Sequence, residues 1–385
     1  MIPEPQRTYV LELVDALGPA ADDFVIAGAQ AMKFSLAKAR VTKDIDFILN
    51  IVGLRKQPQE LAQILRQLGY TAIEGARNFQ FEKLIPNSSE KMRIEFMAPE
   101  QYKRKAGFRV DVEEGIHARA CVGGSIALTE SDVHTLTGKL PNGDQFTGRV
   151  RVTEPHALVM LKLLALADRY HNIRGAREAR HDREEAQTHA ADIVAIVTAQ
   201  SDPAEFKRQF VRQFQADPPL GIRVLRILAD FFRDPTAPGL LVYTEHLAAN
   251  SLGGPDTLSE WLQQTERGRR VLSQILPHPE FFALAAAVDD SSDWERIPEL
   301  VEDYLSGLEN TRTGIEAELA LQFLPAAAFG GVHKRGDTFV VSASEAIQKI
   351  SEGEGELLRG YLRSKAESLR TNEKLRQKFP HALQS

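Results

Sequence analysis

Asp44-Ile45-Asp46 sets two carboxylates two residues apart in a stretch, residues 44–49 (DIDFIL), that alternates polar and apolar side chains before turning wholly apolar. On a strand, residues i and i+2 face the same side, so both acids project together while Ile45 and Phe47 face the other way. Like charges that close repel unless a cation sits between them, and a hard, oxygen-binding ion such as Mg²⁺ answers that need. Alone, such a pair is an ordinary acidic strand surface. Its neighbourhood adds to it. Residues 24–29 (FVIAGA) read as a buried strand that turns into a helix at Gly28, where a glycine allows close backbone approach and the helix start offers free N–H groups to a phosphate. Fourteen residues separate Ala29 from Asp44, room for a helix of about three turns and a connection. A phosphate site beside a metal site is the layout that phosphoryl or nucleotidyl transfer needs.

The second signal is residues 162–169 (KLLALADR). Positions 162, 166 and 169 share one helical face, which sets Lys162 and Arg169 in a stripe otherwise made of Leu and Ala. A lysine so placed either snorkels to solvent or faces a fixed anion.

These residues carry a resemblance. Residues 24–32 (FVIAGAQAM), followed by 40–47 (RVTKDIDF), resemble the opening of the DNA polymerase β-type nucleotidyltransferase superfamily. Within it they look most like the AbiEii/MenT-like nucleotidyltransferases, often the toxins of toxin–antitoxin pairs. That branch shows a glycine pair, a helix, then R-x-T-x-D-I-D-hydrophobic, places filled here by Arg40, Thr42, Asp44 and Asp46. Ala29 stands where the branch has a second Gly or a Ser, and the gap before the acids is longer. The resemblance implies a third carboxylate on a neighbouring strand, binding metal and activating the acceptor hydroxyl. Glu95 is preferred, because Ile94 and Phe96 share the apolar face of its strand; Asp111 is the alternative. The second family motif, K-L-x-A-L-x-x-R, favours the anion for Lys162, as a triphosphate contact. An aspartate on the next helix follows in that family; Asp192 matches it, with His189 where a charged residue usually stands and Asp182 as the alternative. The resemblance spans about residues 20–200 and implies metal ligands Asp44, Asp46 and Glu95, nucleotide contacts at Gly28, Ala29, Arg40, Thr42, Lys162 and Arg169, and a catalytic part for Lys162 and Asp192.

The elements that must position these groups read as follows. Helical spacing covers residues 7–17, 30–39 and 57–68. Strand patterns cover 70–74, 79–85 and 92–97, and β-like sequence runs from 110 to 152 with turns at Gly123-Gly124 and Asn142-Gly143. Ser125 is read within the first of those turns. After Pro155 the chain becomes helical: 157–170, 184–198, 204–214, 222–232, 240–249, 258–276 and 281–288, then a β-like piece at 337–342 and a charged helix at 345–379. The basic stretch 172–183 is read as a loop, and 102–109 (YKRKAGFR) as a solvated basic run. The expected fold is α+β. A polymerase β-type nucleotidyltransferase mixed sheet with flanking helices occupies 1–153. A helical domain at 154–250 completes the active site, and a C-terminal helical region fills 251–385.

Composition bounds the rest. The 385 residues predict two or three domains, and 43% hydrophobic content supports a sizeable core. A net charge of −6 and a pI near 6.0 argue against a protein that coats polyanions. Cys121 is the single cysteine, so no intrachain disulfide forms, which suits a reducing compartment. No apolar run reaches bilayer length and the first residues carry no signal-peptide pattern, so a soluble, cytoplasmic protein without a membrane partner is expected. The ten histidines show no His-x-x-x-His pair, and His117, His134 and His156 are expected to be structural or exposed. The resulting expectation is a nucleotidyltransferase that uses Mg²⁺ or Mn²⁺. It moves NMP from an NTP to an acceptor hydroxyl on RNA such as tRNA, on protein or on a small molecule, with a cognate antitoxin as partner. The alternatives are a catalytically silent member that works by binding, and an antibiotic-modifying type.

Overall fold

A computed structural model describes residues 2–272, apart from 38, 41, 43, 57–59, 77, 104–108, 173–174, 176–177, 217, 234–235, 251–262 and 264. The expected helices and strand beyond residue 272, and the basic run centred on 104–108, lie outside the described residues. The chain divides into two compact units, residues 1–206 with 234–271, and residues 207–233 with 272–385.

In the first unit, α1 (Gln6–Leu17) precedes β1 (Phe24–Ala27), α2 (Gly28–Ser35) and β2 (Asp44–Leu49). Next come α3 (Ile51–Leu54), α4 (Leu61–Gln67), β3 (Thr71–Ala72), β4 (Gln80–Leu84) and β5 (Lys91–Pro99). The hairpin β6 (Arg109–Glu113) and β7 (Ile116–Cys121), helix α5 (Gly124–Thr129) and the hairpin β8 (Ser131–Lys139) and β9 (Gln145–Thr153) follow. Two long helices close the run, α6 (Pro155–His171) and α7 (Ala179–Thr198). Helix α8 (Pro203–Ala216) crosses the boundary between units, α9 (Pro218–Phe232) belongs to the second unit, and α10 (Pro238–Asn250) returns to the first. In the second unit α9 buries Val224, Leu225, Leu228, Phe231 and Phe232.

The nine strands among the described residues form one mixed sheet in the order β3-β4-β5-β2-β1-β9-β8, with β7 also on β5 and β6 on β7. Strand β1 runs antiparallel to β2 and parallel to β9, and β2 runs parallel to β5. The architecture is α+β, as the alternating strand and helix patterns predict. Alternation sorts the central strands into two faces. Phe24, Phe47, Phe81 and Phe96 pack on one, with ring centroids 5.4–5.9 Å apart for three of their pairs. On the other, Ala27, Ile48 and Met97 meet Ala127 of α5, with Leu161 of α6 packed against them. The acids of β2 and β5 share this second, helix-covered face.

Three local readings change. Gly123 takes φ +75° and starts a helix rather than a simple turn, so Ser125 lies in α5. A side chain at Gly124 would press on the Pro99 backbone at 3.1–3.2 Å, which explains why a glycine pair opens a helix here. The stretch read as a basic loop is partly helix, because α7 already begins at Ala179. Helix α2 starts at Gly28 and ends at Ser35, earlier than its composition suggests.

Helix α10 packs on α7, burying Leu240, Val242 and Tyr243, and Glu245 accepts hydrogen bonds from Arg183 and Gln187. A chain cut after Gln200 loses this cover, and each of the three side chains forgoes about 1.5–3 kcal/mol of burial. Such a fragment is expected to be insoluble or to lack a cooperative urea transition; a soluble, cooperatively unfolding 1–200 fragment would contradict this packing.

Candidate active site

The sheet itself assembles the acids. Ala27 is the register partner of Asp46 across β1 and β2, and Glu95 is its partner across β2 and β5. Adjacent strands lie about 4.8 Å apart, so Asp46 and Glu95 are neighbours by topology. Asp44 sits two residues out, beside Arg93, and is exposed. Asp111 is placed elsewhere, on β6, with its Oδ1 3.2 Å from His117 Nδ1 and 3.8 Å from Arg109 Nε.

Gly28 is where the sheet meets helix α2. Its φ is +61°, and a Cβ there would fall 1.9 Å from Asp46 Oδ2. The close approach that demands glycine is therefore that of the Asp46 carboxylate, which lies against the start of α2. Ala29 is the next residue of that helix and is buried. Gly28→Ala combines a left-handed backbone with a clash, and is expected to cost about 1–3 kcal/mol and to push Asp46 out of line. Urea denaturation together with nucleotide binding checks this; unchanged values for both would show that Asp46 has room to spare.

Each oxygen of Glu95 has a donor. Arg119 Nε of β7 donates to Oε1 at 2.6 Å and Gln80 Nε2 of β4 donates to Oε2 at 2.7 Å. Burial and the charge of Glu95 push the Asp46 carboxyl up to about 7, while Lys162 and Arg119 pull it down.

The helical part brings the cations. Lys162 on α6 is 6% exposed and donates from Nζ to Asp192 Oδ2 at 2.6 Å; Asp192 on α7 is 2% exposed. Lys162 does not snorkel; it has found a fixed anion within the protein. Arg40 Nε donates to the same carboxylate at 3.2 Å. Burial alone would raise the Asp192 carboxyl, but Lys162 and Arg40 outweigh it and hold it below the ordinary value. His189, one turn earlier on α7, is held neutral well below its usual range, by burial first and then by Lys162. Arg169 lies outside this knot, paired with the buried Asp182 at 3.0 Å.

Thr42 precedes the acids and fixes their approach. Its carbonyl accepts from Gln6 and Gln30, each at 3.2 Å, and its hydroxyl accepts from the Asp44 N–H at 3.3 Å. Gln6, Gln80 and Arg119 escape a motif reading, because each acts through a partner that only the fold brings near, and Gln30 lies within the 24–32 stretch without being one of its chemical positions.

Among the described residues, the trio of ligand-type side chains whose donor atoms all lie within 4.8 Å of one another is Glu130, Glu154 and His156. His156, at the start of α6, is fully buried, with Nε2 3.1 Å from Glu130 and Nδ1 3.5 Å from Glu154. This trio could hold a metal ion, an arrangement that His spacing in the sequence does not show. The oxygens of Asp44, Asp46 and Glu95 are not drawn that close together. Their donor chemistry still fits a hard divalent ion: three carboxylates on two adjacent strands, one of them held partly protonated by burial and a like charge.

The neighbouring acids of the central strands lie on the helix-covered face of the sheet, and Lys162 is buried on α6 behind it. A family model described as nucleotidyltransferase matches residues 6–214, just over half of the chain. The chain belongs to that nucleotidyltransferase family. A search of curated proteins finds no match. No helix among the described residues is long and apolar enough to cross a membrane.

Proposed function

We propose that the chain is a nucleotidyltransferase of the AbiEii/MenT-like kind, moving NMP from an NTP to an acceptor hydroxyl. The supporting observation is the single row Ala27–Asp46–Glu95 set against Gly28 and the start of α2, with Lys162 affecting Asp46 electrostatically. Asp44, Asp46 and Glu95 are the residues to hold Mg²⁺ or Mn²⁺, which when bound polarises the phosphoryl group and neutralises developing charge. Gly28, Ala29 and the first turn of α2, with Lys162 and Arg40, bind the triphosphate; Thr42 fixes the approach of the acids. Asp192 aims Lys162, and Arg169 is a further nucleotide contact. The acceptor hydroxyl attacks the α-phosphorus, its oxygen forms the new P–O bond, pyrophosphate leaves, and the hydroxyl proton passes to solvent. Catalysis then rests on positioning and charge neutralisation. Helices α6 and α7 complete the site, and residues 200–385 are the natural place for acceptor recognition.

The acceptor hydroxyl lies on RNA such as tRNA, on protein or on a small molecule, and the role proposed is that of the toxin of a toxin–antitoxin pair. Each α-labelled NTP is incubated with the protein and Mg²⁺ or Mn²⁺, together with total tRNA, with protein or with aminoglycosides. Label on tRNA that is lost in Asp46→Asn is the expected result. Label on aminoglycoside alone would select the antibiotic-type reading, and NTP binding without transfer to any acceptor would select a silent binding protein.

A further inference from the structure

Arg119 occupies a position that the nucleotidyl-transfer reading leaves unexplained. It lies on β7, outside every sequence motif, and its register partner on β5 is Met97, two residues from Glu95. Strand β4 covers β5 up to Glu95 and β7 covers it from Met97 onward, so Glu95 sits where the two neighbours change over. There Arg119 Nε takes Oε1 at 2.6 Å, Arg119 Nη2 rests on Met97 Sδ at 3.2 Å, and Gln80 takes Oε2 at 2.7 Å. A charge-assisted bond of this length is among the stronger kinds, and it sets the Arg119 guanidinium beside the Glu95 carboxylate. A divalent ion on Glu95 must therefore share that carboxylate with a cation already in place. Lys162 adds a second positive charge close to Asp46.

We propose that Arg119 is a built-in counter-cation of the acid site: it offsets Glu95 while no metal is bound, and it keeps the affinity for a free divalent ion low. Metal then binds strongly only when the polyanionic triphosphate arrives with it and restores the charge balance. The proposal rests on the reading of Asp44, Asp46 and Glu95 as the metal-holding acids. Arg119 is here a residue that sets metal affinity, not a catalytic residue.

The test titrates the full-length protein with Mn²⁺ alone at low ionic strength, reading free Mn²⁺ by electron paramagnetic resonance. Removing a cation that close to the ion is expected to tighten binding by about tenfold or more in Arg119→Met. Arg119→Lys keeps the charge and should stay near the wild type. Glu95→Gln should erase the gain when combined with Arg119→Met, which also separates this site from Glu130, Glu154 and His156. Arg119→Gln serves as the second neutral variant if the first does not fold. Neutral variants that bind Mn²⁺ no more tightly than the wild type, while Asp46→Asn still weakens binding, overturn the counter-cation and leave the acid site standing. If Asp46→Asn and Glu95→Gln both bind Mn²⁺ as the wild type does, the acid site itself is wrong and the proposal falls with it.

Discussion

Asp46→Asn is expected to stabilise the metal-free protein and to abolish its response to metal. The sign follows from the carboxyl being pushed up to about 7 by burial and Glu95. An unfolded aspartate titrates near 3.9, so between about pH 4 and pH 7 the folded state holds a proton that the unfolded state has lost. Stability contributed at this position therefore falls as pH rises through that window and is level above it. Asparagine keeps the shape and removes the titration. The variant should match the wild type near pH 4 and exceed it at pH 8 by an amount on the order of 2–4 kcal/mol. Mg²⁺ should raise the melting temperature of the wild type by mass action and leave Asp46→Asn unmoved. Transferase activity should fall at least about 100-fold, the scale of removing one preorganised electrostatic group. Melting curves from pH 4 to 8, with and without Mg²⁺, decide the matter. A variant less stable than the wild type at pH 8, or one that keeps the full wild-type Mg²⁺ response, would show that Asp46 is not the strained acid of a metal site.

How much of this was legible in the sequence depends on the range of the interaction. The strand Asp44–Leu49 and the helix Pro155–His171 follow from local periodicity, because burial imposes a two-residue or a 3.6-residue repeat on the chain that makes it. The neighbourhood of Asp46 and Glu95 follows from parity as well: once β2 and β5 pair, Phe47 and Phe96 fix which face the acids take. The start of α5 was hidden, because a glycine pair reads as a turn unless the Pro99 backbone beside Gly124 is known. Arg119 and Gln80 were hidden for a deeper reason. They reach Glu95 from 24 and 15 residues away, across two different strands that meet the same edge of β5. No spacing rule encodes such a meeting; only the strand order does. The Glu130–Glu154–His156 trio is invisible in the same way, drawn together at the open end of the β8/β9 hairpin, beside the start of α6.

The second large effect is expected at Lys162, and it separates a structural role from a nucleotide-binding one. Lys162 and Asp192 are both nearly dry and lie 2.6 Å apart, with Arg40 as a more exposed third member. Removing one partner of a buried pair strands the other charge, so Lys162→Met should cost about 3–5 kcal/mol in urea unfolding. Asp192→Leu should cost a similar amount, since the lysine is then left without its carboxylate. Replacing both ions by apolar groups removes the stranded charge, and Lys162→Met/Asp192→Leu should recover most of the stability, giving a large coupling energy in the double-mutant cycle. Nucleotide binding should behave differently. A charged hydrogen bond from the Lys162 ammonium to a triphosphate is worth about 1.5–3 kcal/mol, and no repacking at Asp192 restores that ammonium. The double variant is therefore expected to fold well and to bind NTP poorly. Additive stability losses would mean that the pair is not coupled as its geometry implies. Recovery of NTP affinity along with stability would assign Lys162 to the scaffold between α6 and α7 and leave the triphosphate to Arg40 and the start of α2.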